Sequence, residues 1–200
     1  MIRFRNISMI GLLILSMGSC KITFVVNKTG YYSNYDKLTN LDKKSIVFLS
    51  AEDTIATKCK DTSIIYAVNA LQLQAYMEQY DSCLVYAWNQ ECHGKYCVFP
   101  MAIEQYCQKN HYKYIILLRK YSSFDIVRDA IYGQFPVFSI NEQYYQTNEV
   151  AKYESVFKQT LSVPPITDKK YSTFWIFKQG KFEKFENGEK ILTNKQIKLL

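Results

Sequence analysis

The chain has 200 residues, 48% of them apolar, and a mean hydropathy of -0.19, which is enough for one self-sufficient core and two domains at most. Tyr (17) and Phe (12) are abundant while Gly (7) and Pro (4) are scarce, so long flexible linkers, low-complexity tracts and internal repeats are excluded. The net charge of +7 is spread over short mixed runs such as Asp42-Lys43-Lys44 and Asp168-Lys169-Lys170. Neither a clustered basic stripe nor a recognisable module accompanies it, which excludes nucleic acid as a partner.

The first element in chain order reads as an export signal. Arg3 and Arg5 form a positive start, Ile7 to Met17 an apolar run of 11 residues, and Met17-Gly18-Ser19 lead to Cys20. Eleven residues are too few to span a bilayer. The series resembles the lipobox of bacterial lipoproteins, with Met17 where Leu is commonest. The resemblance implies a signal peptide over 1–19 and a Cys20 that becomes the first mature residue and is diacylated. It further implies a protein of the bacterial cell envelope, held by the lipid bilayer and facing the periplasm or the cell surface. Two acyl chains anchor stably where one is marginal. Cleavage removes two arginines and no acid, so the positive charge falls by two. With Cys20 lipidated, Cys59, Cys83, Cys92, Cys97 and Cys107 are left, an odd number, so at least one thiol has no partner within the chain.

Residues 20–45 read as a polar, Tyr-rich tether, and 46–200 as the folded domain. Within it, SIVFLS (45–50) predicts a strand and SIIYAVNALQLQAYMEQY (63–80) a helix, whose apolar face is Ile64, Ala67, Val68, Leu71 and Ala75. Cys83 to Trp88 is a continuous apolar run, as in a central buried strand, with Cys83 a core residue. A helix is expected over 97–110, a buried strand over 113–118 (KYIILL), and a helix over 123–132, opened by Ser and closed by Gly133. Then follow a strand over 136–140, a helix over 148–161, a hairpin over 172–185 turning at Gln179-Gly180, and a short helix over 193–200. Alternation of this kind predicts an α/β fold, with a mostly parallel sheet covered on both faces and an antiparallel hairpin at one edge.

Three stretches resemble the thioredoxin-like fold, and more narrowly the envelope thiol–disulfide oxidoreductases that include cytochrome-maturation thioredoxins and peroxiredoxin relatives. In LVYAWNQEC, Leu84, Val85, Trp88 and Cys92 match an apolar strand that delivers a nucleophilic Cys to a helix start. Pro100 matches a Pro common in that helix. FPVFSI, a helix and TFWIFKQGKF match an inserted strand and helix before a final hairpin. The resemblance covers residues 63–190 and implies a three-layer sandwich that exchanges disulfides with envelope protein thiols and needs no cofactor. Cys92 attacks, Cys97 resolves, and Trp88 and a cis-proline, for which Pro136 is the candidate, contact the incoming chain. A helix N-terminus stabilises a thiolate through its unpaired N–H groups and partial positive charge.

The departures open alternatives. The family pair is C-x-x-C, whereas Cys92 and Cys97 stand as C-x4-C. Either two residues are inserted around His93-Gly94 and the pair closes from a widened loop, or Lys95 takes the second cysteine's place. In the latter case Cys97 lies along the helix, turned away by about 140°. Tyr171 stands where the family's proline should precede Ser172-Thr173-Phe174. A different class of function, a redox-inactive lipid-anchored binding or accessory protein with a structural or idle cysteine pair, fits these departures. Cys92, His93, Cys97 and Cys107 lack the paired knuckles of a zinc site, so no metal is expected.

Overall fold

A computed structural model of the protein describes residues 31–92, 98–122, 125, 127, 135–166 and 173–191. Seven strands form one sheet in the order β1-β2-β5-β4-β3-β6-β7. They are β1 (Ile46–Phe48), β2 (Ile65–Val68), β3 (Ser82–Trp88), β4 (Lys113–Leu118), β5 (Val137–Ile140), β6 (Phe174–Lys178) and β7 (Lys181–Phe185). The first five run parallel, and β6 and β7 are antiparallel additions beside β3. The expected α/β class, mostly parallel sheet and edge hairpin are all present.

Helices cover both faces. On one face α3 (Ala70–Met77) and α5 (Val150–Thr160) bury Leu73, Met77, Val150, Tyr153 and Phe157 against the sheet. On the other, α4 (Pro100–Lys109) and the short α6 (Gly188–Ile191) bury Ile103, Cys107 and Ile191. Two further short helices, α1 (Asn40–Lys44) and α2 (Ile55–Lys58), flank β1. Being covered twice makes β3 apolar on both sides, and Cys83 to Trp88 are all buried. Each large side chain so buried stabilises the fold by about 1.5–3 kcal/mol.

Three expectations change. Residues 63–80 are not one helix: Ile65–Val68 form β2 and the helix starts at Ala70. The β-branched and aromatic start of that stretch is buried between two parallel neighbours, β1 and β5, which favours a strand. Asn69 then opens α3 with a capping box, accepting from Gln72 N while Gln72 Oε1 accepts from Asn69 N, both at 2.9 Å. Secondly, α4 begins at Pro100 rather than at 97. Proline lacks the N–H that a helix interior needs, suits the first helical position, and pushes the residue before it, Phe99, to extended backbone.

Thirdly, residues from Tyr31 on, inside the stretch read as tether, are packed on the folded body. Ser33 N donates to Asn148 O (2.8 Å), Val150 N to Tyr31 O (2.9 Å) and Tyr121 N to Ser33 O (2.6 Å). The Tyr35 ring meets Phe48 and Tyr121 edge-on at 5.0 and 5.5 Å. The export signal, the helix expected over 193–200 and, save for Asp125 and Val127, the helix expected over 123–132 lie outside the described residues. No helix among the described residues is long and apolar enough to cross a membrane.

Candidate functional site

The parallel strands all point their carboxyl ends the same way, and the chemistry-bearing residues gather there. In α/β sheets this is where ligands bind, above all where neighbouring strands send the chain to opposite faces. β3 leaves through α4 on one face, and β5 leaves through α5 on the other. Between their ends lies the end of β4, at Arg119 to Ser122.

Cys92 sits just past β3. It is exposed, disulfide-bonded, and held in a turn by donating its N–H to Asn89 O at 3.1 Å. That turn is fastened to the end of β4. Arg119 N donates to Trp88 O (3.4 Å), the buried Gln90 donates Nε2–H to Lys120 O (3.2 Å), and Ser122 Oγ donates to Gln90 Oε1 (3.4 Å). Lys120 Nζ closes an ion pair on Glu91, the residue before Cys92, and lies 4.7 Å from the centre of the Tyr31 ring. Residues 93–97, with Cys97, lie outside the described residues. On their far side Val98 is buried and its carbonyl accepts from Tyr86 Oη at 2.6 Å.

Cys92 is therefore not at the start of α4, whose first residue is Pro100, eight residues on. The alternative that places Lys95 and Cys97 along a helix begun at Cys92 falls on residues 93–97, outside the described residues. Trp88 is buried, 5% exposed, with its ring stacked at 6.3 Å on Tyr86. It is brought to the Cys92 end of β3 as a core side chain.

Pro136 is not brought to Cys92. Val137 pairs with Ile116, so Pro136 stands level with Ile115 and, across β4, with Val85. That is the entry of β5, two strands from β3 and away from its carboxyl end. No cis peptide bond occurs among the described residues, Phe135–Pro136 included. The segment that arrives beside the end of β3 is the one entering β6. Thr173 O accepts from Ala87 N at 2.8 Å. Tyr171 belongs to that segment and lies outside the described residues.

The other described cysteines are free thiols. Burial pushes Cys83 and Cys107 up to about 12, and burial with the Asp53 carboxylate does the same to Cys59. At neutral pH all three are protonated and poor nucleophiles. Among the described residues no group of three or more His, Cys, Asp or Glu is placed to hold a metal.

A second polar feature sits at the end of β5. Glu142 is only 8% exposed, and it lines an open recess of about 440 Å³ with Gln143, Gln146, Thr147 and Asn148. Burial pushes its carboxyl above the usual range, and a hydrogen bond with Ser33 works in the opposite direction. Its Oε2 has no hydrogen-bond partner. Reading the sequence for motifs missed Lys120, Glu91 and Glu142. A signal for the first was available in LLRKY, where two cations directly follow a buried strand.

No protein-family model matches the chain, and comparison with curated proteins and with solved structures gives no significant match.

Proposed function

We propose that the protein is a thioredoxin-like thiol–disulfide exchange protein of the bacterial envelope, anchored through an acylated Cys20 and acting through Cys92 with Cys97. The observation that carries the reading is an exposed, disulfide-bonded Cys92 at the carboxyl end of the central strand, in a turn clamped to its neighbour. Supporting it are the sheet around that strand, with a parallel neighbour on one side and the antiparallel hairpin on the other, and the inserted strand and helix as β5 and α5. Cys97 is the bonding partner this reading assigns, since Cys59, Cys83 and Cys107 are free.

In the oxidised form, a partner's thiolate attacks the Cys92 sulfur and Cys97 leaves as a thiolate. A second partner thiolate then attacks the mixed disulfide at the partner's own sulfur and releases Cys92. The partner's dithiol becomes a disulfide and loses two electrons, which reduce the Cys92–Cys97 bond. Run backwards, Cys92 reduces a partner disulfide and Cys97 resolves the intermediate. The protein's part is to hold Cys92 exposed on a rigid turn while its other thiols stay protonated and buried or half-buried.

A second reading, a static disulfide on a lipid-anchored binding protein, is favoured by one observation: α4 starts at Pro100, eight residues after Cys92, so the amino end of α4 does not lie at Cys92. Disulfide reductase turnover with a small protein substrate separates the two. Exchange that is lost in Cys92→Ser supports the first reading. Wild-type protein whose disulfide is not reduced by a dithiol at an envelope-like potential, and which turns nothing over, supports the second. The anchor has its own test: Cys20→Ala moves the protein from the detergent-extracted membrane fraction to the soluble one, and no change in fractionation would count against lipidation.

A further inference from the structure

Lys120 is an almost fully buried ammonium, 4% exposed, at the end of β4. A charge so placed is costly unless paired. Its partners are the Glu91 carboxylate and the face of the Tyr31 ring. Both the cation and its backbone are tied to the Cys92 turn, the backbone through Gln90. Consecutive Cα atoms are about 3.8 Å apart, so the Glu91 carboxylate lies within about 10 Å of the Cys92 sulfur, about one Debye length at 0.1 M salt. A carboxylate within that distance opposes formation of a thiolate, because two negative charges repel. Half of the Glu91 side chain is exposed, at 48%, so water screens part of that repulsion and the ammonium has the remainder to offset.

We propose that Lys120 is a positioning residue for the Cys92 thiol: by holding Glu91 and cancelling its charge, it keeps reduced Cys92 reactive in a turn that ends eight residues before the start of α4. The inference rests on the reading of Cys92 as the exchanging cysteine. It adds a residue that neither the C-x4-C spacing nor the family resemblance points to. The same contacts fix the turn, so the electrostatic part has to be separated from the structural part.

The experiment is alkylation of the fully reduced protein across pH 5–10, followed at Cys92 by peptide mass spectrometry. Lys120→Met is expected to slow alkylation at pH 7 by about three- to fivefold and to move the midpoint of its pH profile upward. Glu91→Gln is expected to react at least as fast as wild type. The double variant is expected to return to within about twofold of wild type, since removing both charges removes the repulsion and its offset together. Lys120→Arg, which keeps the charge, is expected to stay near the wild-type rate. A purely structural role gives a different pattern: Glu91→Gln slows the reaction as Lys120→Met does, and the double variant is the slowest of all. That pattern, or an unmoved pH profile in Lys120→Met, overturns the proposal. If Lys120→Met fails to fold, Glu91→Gln and Lys120→Arg carry the test, and a slowed Glu91→Gln overturns it. Disulfide exchange by the wild type is measured alongside. A wild type that exchanges nothing sinks the proposed function while leaving the alkylation pattern to decide this point, and the reverse combination sinks this point alone.

Discussion

Single charged residues at the carboxyl ends of the strands show how burial changes what a side chain does. Arg119 and Lys120 follow one another, yet each is drawn to a different carboxylate, Arg119 to Glu154 at 2.5 Å and Lys120 to Glu91. Both pairs staple a strand end, one to α5 and one to the Cys92 turn. Glu142 has no such cation among the described residues. Its carboxyl is raised because the folded protein disfavours the charged form, so the folded state binds a proton more tightly than the unfolded chain does. Stability therefore falls as pH rises from the unfolded value near 4.5 through the raised folded value, and stays lower above it. Glu142→Gln keeps an oxygen that can accept from Ser33 and removes the charge. It is expected to raise the thermal midpoint at pH 7 and to lose that advantage at pH 4, as differential scanning at both pH values would show. A midpoint at pH 7 equal to or below wild type would contradict the assignment.

Elements show where local chemistry overrode or confirmed the periodic pattern. Residues 63–80 carry a plausible helical face, but periodicity alone does not separate a short buried strand from a helix. The N-x-x-Q spacing at Asn69 and Gln72, a capping box, was the local sign of a boundary there. Pro100 was the sign of another, and it shifts α4 away from Cys92. The hairpin turn was legible: it falls at Gln179 (φ 48°) and Gly180 (φ 74°), both in the left-handed region that two-residue hairpins prefer. Gly180 is also confined. A Cβ there would lie 2.4 Å from Glu78 Cγ and 3.3 Å from Gln74 O, at the end of α3. The first contact is relieved by moving a flexible side chain; the second involves backbone. Gly180→Ala is therefore expected to cost about 1–3 kcal/mol, from the left-handed strain and the displaced neighbours together. Urea unfolding measures it, and a loss under about 0.5 kcal/mol would mean that the turn relaxes freely.

At the scale of the whole molecule, residues 31–38 join the strand ends to α5 and to Tyr121, and through Tyr31 to Lys120. A chain starting after residue 38 is expected to be less stable than one starting at Tyr31 by about 2 kcal/mol or more, from the lost backbone hydrogen bonds and the Tyr35 ring contacts. Chemical denaturation of the two truncated proteins tests this, and equal midpoints would return the segment to the role of a tether. The sequence by itself determined the α/β class, the two central strands and the hairpin. These rest on short-range signals: continuous apolar runs, turn residues and alternation along the chain. It also singled out Cys92 at the end of a buried strand. Only the tertiary structure decided that 63–80 splits, that Pro136 stands two strands away from Cys92, that 31–38 belongs to the body, and that Lys120 meets Glu91. Each of those depends on which strands lie side by side. Strand order is set by long-range packing that brings distant residues into contact, as it does Lys120 and Glu91, 29 positions apart, and no local pattern encodes that.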